Sequence, residues 1–163
     1  AGGSGSTPGG ETYGSSNAPA YPGSGGGRQS TQTLGGYGGG LIRIEAERTV
    51  TLNGTLTANG RGVQNRCGGG SGGGIYVRCR RWAGTNGLLR ADGGAGWTIY
   101  GGAAGGGGRI AVWRVRDASP GGIQSIPVTV TNGLPDTERY LRATPGTVVW
   151  GWLHAGGTVL LLR

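Results

Sequence analysis

Lysine, phenylalanine and methionine are absent from this chain, and histidine occurs once. All fifteen basic residues are therefore arginine, and with seven carboxylates they leave a net charge of +8. The missing methionine points to a processed product or a segment cut from a longer precursor. A start of small residues, AGGSGS, fits cleavage after an export signal. No stretch approaches the roughly 18 apolar residues of a membrane-spanning helix, so no membrane insertion is expected. Nothing shows helical periodicity or a helix cap, which excludes helical fold classes. A metal site built on the two cysteines lacks further ligands, so no metal is expected. No serine or cysteine stands in a motif that would activate it as a nucleophile. The expectation is a chain that is not an enzyme and holds no cofactor.

What is present is glycine, 42 residues of 163, about a quarter of the chain against roughly 7% in ordinary soluble proteins. There is no Gly-X-Y register, which excludes a collagen triple helix. Three phrases share a pattern of glycine run followed by alternating apolar strand: GGYGGGLIRIEA (35–46), GGGSGGGIYVRCR (68–80) and GGGGRIAVWRV (105–115). Their last glycines, Gly40, Gly74 and Gly108, are 34 apart, whereas Ile42, Ile75 and Ile110 are spaced 33 and 35. A period in this range predicts an array in which each copy buries its apolar face on its neighbour. The first two copies go on through a short link to an Asn-Gly pair, Asn53-Gly54 or Asn86-Gly87, and a second strand, and after Val115 the pattern loosens. The fold class expected is all-β, a glycine-rich parallel β-solenoid or β-helix with irregular repeats of about 34 residues. The alternative is that the glycine runs form polyproline-II-like helices packed in a bundle.

Three regions follow: a glycine-rich N-terminal segment (1–40) that wraps the repeats or reaches into a neighbouring subunit; the repeats (41–116); and C-terminal strands forming an assembly end (117–163). Cys67 and Cys79 bracket the central glycine run. They form a disulfide if that run folds back, which would imply an oxidising, extracellular compartment. Otherwise Cys79 is a small buried residue beside Ile75 and Val77.

GGYGGGLIRIEA, LNGTLTANG, GGGSGGGIYV, GGGGRIAVW and PGTVVWG resemble the glycine-rich β-solenoid segments of very large bacterial secreted and cell-surface proteins. The likeness runs from about Tyr13 to Trp152. It implies a parallel β-helix-like fold in an exported structural or adhesive protein, extracellular or on the cell surface, with no shared catalytic set.

Glu45 and Glu47 are paired carboxylates, but nearby arginines explain them as surface ion pairs. His154 lies in an apolar strand. GGGSGGG satisfies G-x-G-x-x-G, yet no helix follows to receive a phosphate. Thr-x-Thr pairs at 49–51, 55–57 and 129–131 resemble those of ice-binding β-solenoids, but their spacing is irregular and β propensity accounts for them. Arg78, Arg80, Arg81, Arg114 and Arg116 are a candidate face for acidic polysaccharide or nucleic acid, with Tyr76, Trp82 and Trp113 alongside. The apolar end of the chain, with Trp150, Trp152, Thr158, Val159, Leu160, Leu161 and Leu162, needs a cover. The function expected is a secreted structural subunit whose partners are copies of itself, pairing head-to-tail into an extracellular filament or surface appendage. The alternative is an adhesin or binding module using the arginine face. A carbohydrate-active β-helix enzyme ranks third, since no acid–base set stands out.

Overall fold

The computed structural model describes residues 9–28, 30, 33–63, 66–97, 102–119, 122, 126–133, 143–154 and 159–160. Eight strands lie among them and no helix: β1 (Leu41–Thr51), β2 (Thr55–Thr57), β3 (Gly74–Ala83), β4 (Leu88–Arg90), β5 (Arg109–Asp117), β6 (Val128–Thr129), β7 (Thr147–Leu153) and β8 (Val159–Leu160). They form a five-stranded sheet in the order β1-β3-β5-β7-β8 and a three-stranded sheet in the order β2-β4-β6. All pairings are parallel except the last, in which β8 runs antiparallel to β7.

Alternation along each strand gives the core. Ile42, Ile75 and Ile110 are register partners, as are Ile44, Val77 and Val112, and both rows face the three-stranded sheet. Leu52, Leu56, Leu89, Ile126 and Val128 meet them from the other side, and Trp82 is fully buried between. Asn53-Gly54 is a turn that splits the expected second strand: Thr49–Thr51 continue β1, and only Thr55–Thr57 form β2. After β3, Gly84 takes φ +136°, and a Cβ there would run into the backbone of Leu52. A second, smaller cluster covers the outer face of the large sheet, where Tyr76, Ala111 and Trp113 pack with Val149 and Leu153. The N-terminal segment lies over it: Trp113 donates its indole N–H to the Asn17 carbonyl at 2.7 Å, and Arg109 donates to the carbonyls of Tyr13 and Gly14.

The expected β-solenoid is corrected here. The strands belong to two separate parallel sheets joined by crossovers, and the glycine runs do not serve as turns between rungs. They form a bundle of extended segments, the arrangement raised from sequence as the alternative. Outward legs (33–40, 68–73, 102–108 and 143–146) lead into the strands of the large sheet. Return legs (58–63, 91–96 and 130–133) leave the strands of the small one, and a further segment, 23–27, runs antiparallel to the first two outward legs. Backbone hydrogen bonds knit neighbours together, for example Gly39 N–H to the Ser71 carbonyl, Gly72 N–H to Gly106, Gly94 N–H to Gly70 and Gly146 N–H to Val130, all at 2.7–2.9 Å.

The three-residue repeat of polyproline II is visible in what a side chain would meet. A Cβ on Gly70 or Gly73 would strike the preceding outward leg, at the carbonyls of Tyr37 and Gly40. On Gly69 or Gly72 it would strike the return leg, at Gly94 and Ala91. Position 71 faces 23–27, and there the sequence places Ser71, whose hydroxyl accepts from the Ser24 N–H at 2.8 Å. Glycine is required here by close backbone approach, since successive positions along a leg point at different neighbouring segments.

Candidate functional site

The free edge of β1 is the first candidate surface. Gly74 N–H donates to the Gly40 carbonyl, so by alternation the even-numbered residues of β1 turn their peptide groups toward β3. Leu41, Arg43, Glu45 and Glu47 therefore direct N–H and C=O to the open edge. Ile42, Ile44, Ala46 and Val50 are only partly covered, while their partners Ile75, Val77, Cys79 and Trp82 are buried to 0–1% exposure. Outside, Arg43 pairs with Glu45 at 2.5 Å and lies over the Tyr76 ring at 4.4 Å, and Arg78 reaches the same carboxylate at 4.0 Å. Glu45 is thus held by two guanidinium groups, as the ion-pair reading of the carboxylates expects.

A trough of about 520 Å³ crosses the outer face nearby, lined by Glu45, Glu47, Arg78, Arg80, Leu153 and His154. It brings together the paired carboxylates and the single histidine, residues far apart in sequence. A second cleft, about 580 Å³, lies between the N-terminal segment and the glycine legs, with Tyr13, Tyr21, Arg109 and Thr144 in its walls.

The arginine face is present in part. Arg78, Arg80, Arg81 and Arg116 are exposed, with Arg81 opposite Arg116 across β3 and β5. Arg114 does not belong to it. At 3% exposure it grips Asp117 through two bonds of 2.7 and 3.0 Å, donates to the Gly151 carbonyl at 3.0 Å and stacks on Trp152 at 3.9 Å. Its parity is that of Ile110 and Val112, so it points inward.

The expected Cys67–Cys79 disulfide is also corrected. Cys79 is a buried thiol on the inner face of β3, and Cys67 is buried at the head of the glycine run. That run stays extended and does not fold back. Twelve residues at about 3.1–3.3 Å each span up to roughly 40 Å, against the roughly 5.5 Å between Cα atoms that a disulfide needs. Burial pushes the Cys79 thiol up to about 11.

At the C-terminal end Trp150 packs partly on the core and Trp152 is 40% exposed. Val159 and Leu160 pair with Leu153 and Trp152, so the last two residues of β7 are covered by this chain's own β8. Thr158, Leu161 and Leu162 lie outside the described residues.

One group was not singled out from sequence. Asp92, 7% exposed, receives Arg90 Nε and Nη2 and the Thr129 hydroxyl on one oxygen, and the Thr131 N–H and hydroxyl on the other. Its own N–H donates to Asn59 Oδ1 at 2.8 Å. Burial favours the neutral acid, but the bonds from Thr131, Arg90 and Thr129 outweigh it and hold the carboxyl below its ordinary pKa. The clue was the 33-residue spacing of Asn59-Gly60 and Asp92-Gly93. Every acceptor position of this carboxylate is occupied, so it ties the return legs together. No cluster of three or more metal-ligating side chains occurs among the described residues. Comparison with protein-family models, curated proteins and solved structures finds no match.

Proposed function

We propose that this chain is a non-catalytic structural subunit of an extracellular assembly, joined to copies of itself by β-strand pairing at the free edge of β1. One observation carries the reading. Among the described residues an eleven-residue strand has no neighbour on its outer edge and leaves its core-facing side chains half covered, while the same rows one strand inward are completely buried. A paired strand would complete both the hydrogen-bond ladder and the apolar rows. The extracellular placement rests on the glycine-rich phrases of the sequence.

Electron microscopy and sedimentation of the purified chain test this, with Arg43→Pro as the edge block. The Arg43 N–H points away from β3, so proline removes an edge donor and leaves the sheet its bonds. Association should be lost with the circular dichroism unchanged. A wild-type chain that stays monomeric at every concentration, or an Arg43→Pro chain that associates as before, refutes the reading.

A second reading has one observation in its favour, the exposed group Arg78, Arg80, Arg81 and Arg116 on adjoining strands. It would hold an acidic polysaccharide, as at a cell surface, with binding that weakens steeply as salt rises. Apolar strand pairing would not weaken in this way.

A further inference from the structure

We infer that the partner at β1 is a second copy of this chain docked antiparallel about a two-fold axis at Ile44, closing a dimer; this rests on the self-association reading above.

Continuation of the existing parallel packing is blocked in the glycine half. Each outward leg presents hydrogen to the leg before it: Gly105 and Gly108 to the carbonyls of Gly70 and Gly73, and Gly70 and Gly73 to those of Tyr37 and Gly40. In the first leg the equivalent positions are Gly40, which faces open space, and Tyr37, with Leu34 three residues earlier; Tyr37 and Leu34 are 59% and 67% exposed. A leg stacked there in the same geometry would have to occupy the space of the Tyr37 ring. The other end differs too, because β8 pairs along Trp152 and Leu153. A parallel head-to-tail stack therefore cannot repeat the packing seen inside the molecule.

An antiparallel partner avoids this, since its glycine half lies at the opposite end. The outward peptide groups of Leu41, Arg43, Glu45 and Glu47 then pair with those of Glu47, Glu45, Arg43 and Leu41 of the second copy. On the outer face Arg43 meets Glu45 twice, opposite charges directly across the ladder. On the inner face Ile44 meets Ile44, and Ile42 meets Ala46, extending the half-covered rows. The pairing ends at the register shift between Ala46 and Thr49, where β1 bends. The interface is isologous, so it closes at two copies.

A charge swap tests the register. Glu45→Arg sets arginine against arginine at both sites and should weaken dimerisation by about tenfold or more in sedimentation equilibrium, given what opposed like charges cost across strands. The double change Arg43→Glu with Glu45→Arg restores both cross-pairs and should recover the dimer. Both positions are close to half exposed, so folding should survive, as circular dichroism will show. Larger assemblies untouched by Glu45→Arg overturn the two-fold dimer and leave self-association standing. A dimer that the double change fails to rescue also overturns the register. A wild-type monomer at all concentrations overturns both.

Discussion

Two adjacent glycines should respond to the same substitution in opposite ways. A Cβ on Gly106 meets nothing nearer than the Thr144 carbonyl oxygen at 3.4 Å, an ordinary contact. A Cβ on Gly107 would run into the Val130 carbonyl and the Gly146 amide. Clearing that clash separates the legs that carry Gly107 N–H to Thr144 at 2.9 Å and Gly146 N–H to Val130 at 2.7 Å. Two net hydrogen bonds are worth about 2 kcal/mol, and a buried donor left unsatisfied adds about 1–3. Gly107→Ala should therefore cost about 3–5 kcal/mol. Gly106→Ala should stabilise by about 0.4–1 kcal/mol, because alanine restricts the unfolded chain. Urea titrations followed by tryptophan fluorescence measure the difference, provided both variants keep the wild-type slope. Equal costs at the two positions would refute a packing in which successive positions face different neighbours, since glycines serving only as flexible connectors give no reason for a three-residue pattern.

Asp92 should make stability depend on acid. Its folded pKa lies below the ordinary 3.8, so the folded state binds fewer protons. Its contribution is complete above the ordinary value and is lost as pH falls through the folded one. Asp92→Asn should be less stable at neutral pH and flatter than wild type through the acid range; parallel curves from denaturant titrations would contradict this. Cys79, raised to about 11 by burial, should resist alkylation in the native state near pH ~8 and react only as the chain unfolds. Labelling of native Cys79 as fast as of unfolded chain would count against its burial. Trp82 is fully buried and its indole N–H has no partner. Trp82→Ala should cost about 3–5 kcal/mol and Trp82→Phe far less, since phenylalanine gives up no hydrogen bond; equal losses in urea would show otherwise.

The strands were legible because their side chains alternate. Ile42, Ile75 and Ile110 aligned from sequence are the residues that pair. The glycine legs were not, because hydrogen carries no pattern: a three-residue repeat and a turn look alike when every position is glycine. The few side chains in the legs did mark it. Ser71 stands three from both Gly68 and Gly74 on the face toward 23–27, and Leu34 and Tyr37 stand three apart on the open face. Arg114 was assigned to the polyanion face although its sequence position argued against it. It shares the parity of Ile110 and Val112 and precedes Asp117 by three, so an inward, paired arginine follows from the same alternation that found the core. The disulfide failed because twelve residues were treated as a loop when the chain is straight there.

One rule links the packing to the proposed joint. In the glycine half, hydrogen stands where one leg's backbone closely approaches another, whereas Leu34 and Tyr37 stand on the open face of the first outward leg. Tyr37 and Leu34 therefore mark a true end of that layer. The sheet half obeys a different rule, because strand side chains project above and below the ladder and leave the edge itself bare. At β1 no described residue fills the edge, and Arg43 and Glu45 lie on the outer face, where they do not block an incoming strand. The molecule is closed along one half of its first unit and open along the other. Any association in which strands meet must then keep the glycine halves apart, and reversing the second chain does so.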